Sequence, residues 1–324
     1  AHMEMGQGIY HGIATLVNEE LRADWSQIDV IGGAGDPKAF GNVMWGGAIQ
    51  GTGGSTGLAS SYERYRKAGA AARQMLVQAA ARDWNVAAGE ITVERGIVRH
   101  GAMQATFGAL AAKAAALPIP ANVPLRDPKD WIYIGKDRDV VGKLDSRAKS
   151  TGAQIFTIDV KLPGLLTAVM IHPPMFGATV KSFDAAKARA MQGVVDVVQV
   201  PRGVAVVADT MWHALKAREA VSVTWDDSRA EKRSSKELMD SYRETAKKPG
   251  VANAVTTGNV EAAFRGAVKV LEATFEFPYL AHAALEPLNA VARIENGRVE
   301  IWGGHQMPDI YQAIAAQVAG VTPD

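Results

Sequence analysis

Residues Gly46-Gly47-Ala48-Ile49-Gln50-Gly51-Thr52-Gly53-Gly54-Ser55-Thr56-Gly57 run almost directly into Ser60-Ser61-Tyr62-Glu63-Arg64-Tyr65-Arg66 and a long helical pattern. So much glycine disfavours regular structure, so the fold must carry an irregular loop immediately before a helix. Ser60 and Glu63 have the spacing of a capping box, which predicts a helix from Ser60 to about Trp84. Glycines let backbone N–H groups turn toward a ligand, and a helix N-terminus adds partial positive charge and unpaired donors. Together they make an anion site suited to a phosphate or pyrophosphate. The same stretch also reads as a plain surface loop before a capped helix, and its composition does not choose between the two.

Composition narrows the classes around that loop. The 324 residues are 48% apolar, enough for more than one packed core. A net charge of +1 gives no electrostatic case for nucleic acid or an anionic membrane surface. Without cysteine, this chain has no disulfides, thiolate metal sites, Cys-bound iron–sulfur clusters or Cys nucleophile. No uninterrupted apolar run approaches the ~18 residues of a membrane span. Ala1-His2-Met3 has the character of a cloning remnant, which would start the native sequence at Glu4.

Along the chain, Glu4-Met5-Gly6-Gln7-Gly8 leads into a helix whose Ile9, Ile13, Leu16, Val17 and Leu21 share one face. Ile28 to Ile31 reads as a short strand. Gly32 to Gly57 is irregular, and a loop that long inside a compact domain is more often functional than idle. Ile91–Val93 and Gly96–Arg99 form a hairpin pattern, and Thr106 caps a helix running to about Ala116. Leu117-Pro118-Ile119-Pro120 reads as a linker to a second unit. There, strands are expected at 155–160, 165–172, 194–200, 204–207 and 221–225, with helices at 185–191 and 211–220: a small α/β domain. Ser235 to Lys247 reads as an exposed charged helix, 259–266 as a short helix and 269–277 as an alternating strand. Glu295-Asn296-Gly297 is a hairpin turn, and His305-Gln306 precedes a helix over 309–319.

Most familiar chemistries fail on this sequence. Ser55, within Gly53-Gly54-Ser55-Thr56-Gly57, has no partner base that the sequence can name, and there is no H-E-x-x-H and no G-x-G-x-x-G set between a strand and a helix. No metal ligands are assigned. What remains is three polar loops, each feeding a helix: Gly6-Gln7-Gly8, Gly53-Gly54-Ser55-Thr56 and His305-Gln306. Converging helix N-termini would suit a large anionic cofactor, but spacing alone does not bring them together.

These loops, with Arg66-Lys67-Ala68-Gly69-Ala70-Ala71-Ala72-Arg73 and Tyr279-Leu280-Ala281-His282-Ala283-Ala284-Leu285-Glu286-Pro287, carry a resemblance. The chain resembles the molybdopterin-binding large subunit of the xanthine dehydrogenase/aldehyde oxidase family, in the branch of the isoquinoline 1-oxidoreductase beta subunit. Asp159, Pro163-Gly164 and Phe176-Gly177-Ala178 resemble that family's hammerhead domain. The resemblance implies an α+β fold: a cofactor-side region over 4–137, a hammerhead-like domain over 138–228, and the incomplete start of a further molybdopterin-binding domain over 229–324.

It also implies a molybdenum–molybdopterin cytosine dinucleotide cofactor, and oxidation of an N-heteroaromatic or aldehyde substrate with water as oxygen donor. An iron–sulfur small subunit would take the electrons. By motif, Gln306 would hydrogen-bond the oxo ligand of molybdenum. Gly6, Gln7 and Gly8 would lie against the pterin or metal ligands, and Gly53, Gly54, Ser55 and Thr56 would hold the phosphates. Glu286 reads as structural. The family's Gly-Gly-Gly-Phe-Gly loop and its C-terminal general-base glutamate are absent. The chain therefore reads as an N-terminal fragment, expected to bind no cofactor and turn nothing over by itself. The rival reading is a non-catalytic partner-docking module whose Gly-rich loop is only a turn. Whether the parent protein is periplasmic or cytoplasmic is left open.

Overall fold

The computed structural model describes residues 2–33, 35–136 and 142–323. The chain divides into two compact units, Ala1–Val160 with Glu286–Asp324, and Lys161–Leu285. Helices and small antiparallel sheets alternate in both, so the fold class is α+β, as the resemblance implies. The expected boundary at Asp137 and Arg138, and the chain end at Asp324, lie outside the described residues.

The first unit is built on two helices, α1 (Ile9–Leu21) and, after the short α2 (Pro37–Phe40), the long α3 (Thr56–Trp84). They lie side by side with their N-termini at one end. A Cβ on Gly57 would meet Ile9 Cδ1 at 3.2 Å, and one on Gly69 would meet the Val17 carbonyl oxygen at 2.2 Å. Gly69 is what permits that approach, because any side chain there would collide with the α1 backbone. Strands β1 (Thr92–Glu94), β2 (Ile97–His100) and β3 (Met103–Thr106) form an antiparallel meander, and α4 (Phe107–Ala115) is capped by Thr106 Oγ1 accepting from Ala109 N at 3.2 Å. Leu76, Ala80, Val98 and Leu110 form the apolar core between α3, β2 and α4. The short helix α5 is Ser146–Thr151.

The polar interior of this unit is the feature that the apolar periodicity of α1 does not predict. Glu19 and Glu20 are both fully buried. Arg66 of α3 donates from Nε at 3.0 Å and Nη2 at 2.7 Å to Glu20 Oε1. Arg126 N donates to the same carboxylate, while Ile132, Tyr133 and Ile134 N donate to Glu19. Residues 126–134 are thus strapped onto α1 and α3. The stretch expected as a linker instead returns to the first unit, because two buried carboxylates need its N–H groups.

The second unit pairs two antiparallel sheets. One has the order β4 (Thr167–Ile171), β7 (Gly203–Ala208), β6 (Val194–Val200), and the other joins β5 (Thr179–Asp184) to β8 (Ser222–Asp226). Helices α6 (Ala186–Arg189) and α7 (Met211–Arg218) bury Ala188 and Ala217 against Val197, Val204 and Val206. Helix α8 (Ser235–Ala246) has a full capping box between Ser234 and Glu237, and α9 (Val260–Gly266) is capped by Asn259. The chain then re-enters the first unit through the hairpin β9 (Val291–Glu295) and β10 (Arg298–Trp302), followed by α10 (Pro308–Ala319).

Several expected elements differ. Helix α3 begins at Thr56 rather than Ser60, and Ser60 Oγ donates to Gly57 O instead of capping. Residues 28–31 are extended but unpaired among the described residues, with Ile31 exposed. Residues 155–160 form a 3-10 turn, Thr157–Asp159, closed by Phe156 N donating to Asp159. Residues 269–277 alternate like a strand but pair with nothing among the described residues, and Phe275 and Phe277 are exposed. Alternation describes a face, and a strand also needs a neighbour's edge.

Gly69→Ala is expected to cost about 1–3 kcal/mol by forcing α1 and α3 apart. Gly89→Ala, where an added Cβ meets nothing within 4 Å, is the matched control and should be close to neutral. Urea unfolding midpoints measure both.

Candidate functional site

Glu4 builds the first loop. Its Oε1 accepts from Gly6 N at 2.7 Å and Gly8 N at 2.9 Å, and its Oε2 from Tyr10 N at 3.1 Å. A carboxylate from upstream therefore caps α1, since Gly8 at the cap position has no side chain to do so. Burial pushes the Glu4 carboxyl up, but the Gly8, Tyr10 and Gly6 N–H groups and nearby Lys143 outweigh it and hold it below the ordinary value of 4.5. The Gln7 amide is committed at both ends, accepting from Met5 N at 2.8 Å and donating to Met3 O at 3.0 Å. In this conformation it shapes its own exposed loop.

Asn42 builds the second loop from a fully buried position. Its Nδ2 donates to Gly51 O at 3.1 Å and to Thr56 Oγ1 at 2.7 Å, and Thr56 Oγ1 donates to Gly53 O at 2.7 Å. The Trp45 ring lies so close over the loop that a Cβ on Gly51 would stand 1.9 Å from it. Glycine at position 51 is therefore required by packing. Gly54 and Ser55 are exposed, and Ser55 sits in the left-handed region at φ 56° immediately before α3. No side chain caps α3; Thr56 N donates to Gly53 O at 3.1 Å, and the N–H groups after it carry the positive end of a 29-residue helix without a side-chain partner.

Thr52 brings the three loops together. It accepts from Met3 N at 2.8 Å through Oγ1, donates its own N–H to Gln306 O at 3.0 Å, and accepts from Gln306 Nε2 at 2.8 Å through its carbonyl. Next to it, Gln50 N donates to Asp309 Oδ2 in the first turn of α10 at 3.1 Å. The N-terminal ends of α1, α3 and α10 are thus tied around one residue. Gly6, Gln7, Gly8, Gly53, Gly54, Ser55, Thr56 and Gln306 all lie on the loops so joined. Thr52, Asn42 and Gln50 were not singled out by sequence. Their one available signal was the length of the irregular loop, whose buried backbone groups need side-chain partners.

His2 belongs to the packing of the second loop. It is 3% exposed, its Nδ1 hydrogen-bonds Gly51 O at 3.1 Å, and its Nε2 meets Ser60 Oγ at 3.3 Å. His2 and Met3, in the stretch expected to be a cloning remnant, thus pack beneath the loop. Glu286 accepts from Ile158 N at 3.1 Å and from Asn289 Nδ2 at 3.0 Å, holding two chain segments together. Among the described residues, no group of three or more His, Asp or Glu is placed to hold a metal ion, and no helix is long and apolar enough to cross a membrane.

Comparison with known proteins adds to this geometry. Profiles of the molybdopterin cofactor-binding domain match residues 1–163 and 244–324. The chain is 28% identical to the beta subunit of isoquinoline 1-oxidoreductase from Brevundimonas diminuta, over 99% of the chain and 46% of that protein. It is 32% identical to a membrane-bound aldehyde dehydrogenase (pyrroloquinoline-quinone) of Gluconacetobacter polyoxogenes, over 94% of the chain and 40% of that protein. It is 27% identical to a subunit of nicotinate dehydrogenase from Pseudomonas putida, over 96% of the chain and 26% of that protein. The chain spans less than half the length of each of these relatives.

Thr52→Val removes the acceptor for Met3 N and should cost about 1 kcal/mol. Faster hydrogen exchange at residues 2–8, with α4 unchanged, is the expected reading. The depressed Glu4 carboxyl adds stability that is present above 4.5 and is lost as pH falls through its folded-state value. Glu4→Gln should therefore flatten the acid limb of a stability–pH profile and leave its alkaline limb unchanged.

Proposed function

Because the chain belongs to the molybdopterin cofactor-binding domain family, we propose that it forms one side of the cofactor site in a molybdenum hydroxylase large subunit. The observation that carries this reading is the convergence of the three loops on Thr52. The donors there suit the cofactor: uncapped N–H groups at the start of α3 for phosphates, and neutral amides for the edges of a pterin. Gly54 leaves room for close approach, since a Cβ there would meet nothing nearer than Thr56 Cγ2 at 3.9 Å.

In this proposal Gly53, Gly54, Ser55 and Thr56 bind the phosphates of a cytosine dinucleotide form. Gly6, Gln7 and Gly8 lie against the pterin, and Gln306 faces the metal's ligands. Bound molybdenum would supply a two-electron oxidation of an N-heteroaromatic or aldehyde substrate with oxygen from water. The chain's part is positioning. Gln306 keeps one Nε2 proton on Thr52 O, which fixes the amide and leaves its second proton to donate without adding a competing anion. Glu4 holds the Gly6-Gln7-Gly8 turn, and Asn42 holds the phosphate loop. The chain alone is proposed to be inactive and cofactor-free, and a separate iron–sulfur subunit to accept electrons. The division into regions 4–137, 138–228 and 229–324, with the middle one hammerhead-like, belongs to the same proposal.

The second reading, a docking module with a structural glycine loop, draws support from Trp45, which accounts for Gly51 without a ligand. Ser55 separates the two, because its side chain caps nothing and its backbone geometry tolerates aspartate. In the protein expressed from its complete reading frame with molybdenum cofactor supplied, Ser55→Asp should lower bound molybdenum by about tenfold or more through charge repulsion of the phosphates, with unchanged circular dichroism. Unchanged molybdenum would favour the docking module.

A further inference from the structure

The C-terminal end of α1 borders a cavity of about 670 Å³, in the size range of small-molecule sites. At ~1.5 Å per residue, the 13 residues of α1 place it about 20 Å from the loops around Thr52. Its lining is unusual for a structural void. Four arginines, Arg22, Arg95, Arg99 and Arg126, border it against only two carboxylates, Asp24 and Glu94. The rest of its wall includes Ser26 and Thr92 and an apolar face where the Trp25 and Tyr133 rings lie 5.5 Å apart beside Val93 and Ile132.

Most of that positive charge is unspent. Arg22 is matched by buried Glu19 at 3.2 Å and donates to Asp130 O at 2.7 Å. Arg95, Arg99 and Arg126 have no carboxylate partner within ion-pair distance among the described residues, and Arg99 has only the neutral Gln104 amide at 3.4 Å. Nε of both Arg22 and Arg126 is buried without a partner. Asp24 Oδ1 accepts from Ser26 N at 3.0 Å and Ser26 Oγ at 2.8 Å, and its carboxylate is held below its ordinary value by those bonds and by the charge of Arg95, which lies beyond ion-pair distance. Burial lowers the proton affinity of Arg22, and neighbouring Arg126 lowers it further. Like charges held together beside a cavity cost stability unless an anion joins them.

We propose that this cavity binds a small aromatic anion, its carboxylate or phosphate held by Arg95, Arg99 and Arg126 and its ring laid against Trp25 and Tyr133. Guanidinium forks fit both oxyanions, and the rings supply the stacking surface. The site is independent of the loops around Thr52 and of the function proposed for them.

Isothermal titration calorimetry of the 324-residue chain tests it, with benzoate and phenyl phosphate as probes. Inorganic phosphate (charge without ring) and benzyl alcohol (ring without charge) are the controls. Benzoate or phenyl phosphate should bind one to one and at least about tenfold more tightly than either control. Whichever of the two binds more tightly names the oxyanion. Arg126→Gln and, at the exposed mouth, Arg95→Asn should each weaken that binding about tenfold with unchanged circular dichroism. Asparagine suits the left-handed φ of 47° at position 95, so this variant tests the site even where Arg126→Gln disturbs the strap. No detectable binding at about 10 mM, equal affinity in wild type and Arg95→Asn, or tighter binding of a tetraglutamate peptide than of either aromatic anion would each overturn the proposal.

Discussion

The buried pair of Glu20 and Arg66 is the interaction on which the first unit depends. Their side chains are 0% and 7% exposed, and the guanidinium lies between the rings of Tyr62 and Trp131 at 5.3 and 5.2 Å. A pair taken this far from water is tolerated only when its other hydrogen-bonding groups are met. Here the Arg126 N–H and carbonyl meet them, so the strap over 126–134 is a consequence of the pair. Removing one partner of such a pair costs about 3–5 kcal/mol, as much as truncating a large buried apolar side chain. The pair also fixes how far α1 can slide along α3, and Gly69 against Val17 fixes how close they lie.

That registration matters because both helices begin at the loops around Thr52. With the axes held side by side and in register, the positive ends of α1 and α3 face the same region, and Gln50 and Thr52 bring α10 to join them. The loops are then ordered by buried polar side chains rather than by an apolar core. Asn42 satisfies loop atoms from below, Glu4 satisfies the α1 terminus from the side, and Gly54 and Ser55 stay exposed at the rim. With the α1 donors taken by Glu4, it is the start of α3, which no side chain caps, that offers backbone donors to an anion.

Much of this could be read from residues. The helix after Gly8, the hairpin at Asn296-Gly297 with φ of 52° and 76°, the Thr106 cap and the strand over 194–200 are all expected from the sequence, and all form. Local rules fail where a distant partner decides. Glu19 and Glu20 look like solvated helix residues until residues 126–134 supply backbone donors from more than a hundred positions away in sequence. Residues 269–277 have the pattern of a strand and no edge to join among the described residues. Ser60 and Glu63 have capping-box spacing, yet Asn42 and Gly53 hold Thr56 so that the helix starts a turn earlier. Around Thr52 the glycines and amides were legible as a set of loops, but the threonine that unites them carries no motif.

The most direct test of the account is hydrogen exchange on the protein from its complete reading frame, compared with and without the molybdenum cofactor. The account predicts that loading the cofactor slows exchange at residues 6–8, 53–58 and 306 together, with the strap at 126–134 unchanged. Protection absent from all three loops, or confined to one of them, would contradict the claim that they form a single site.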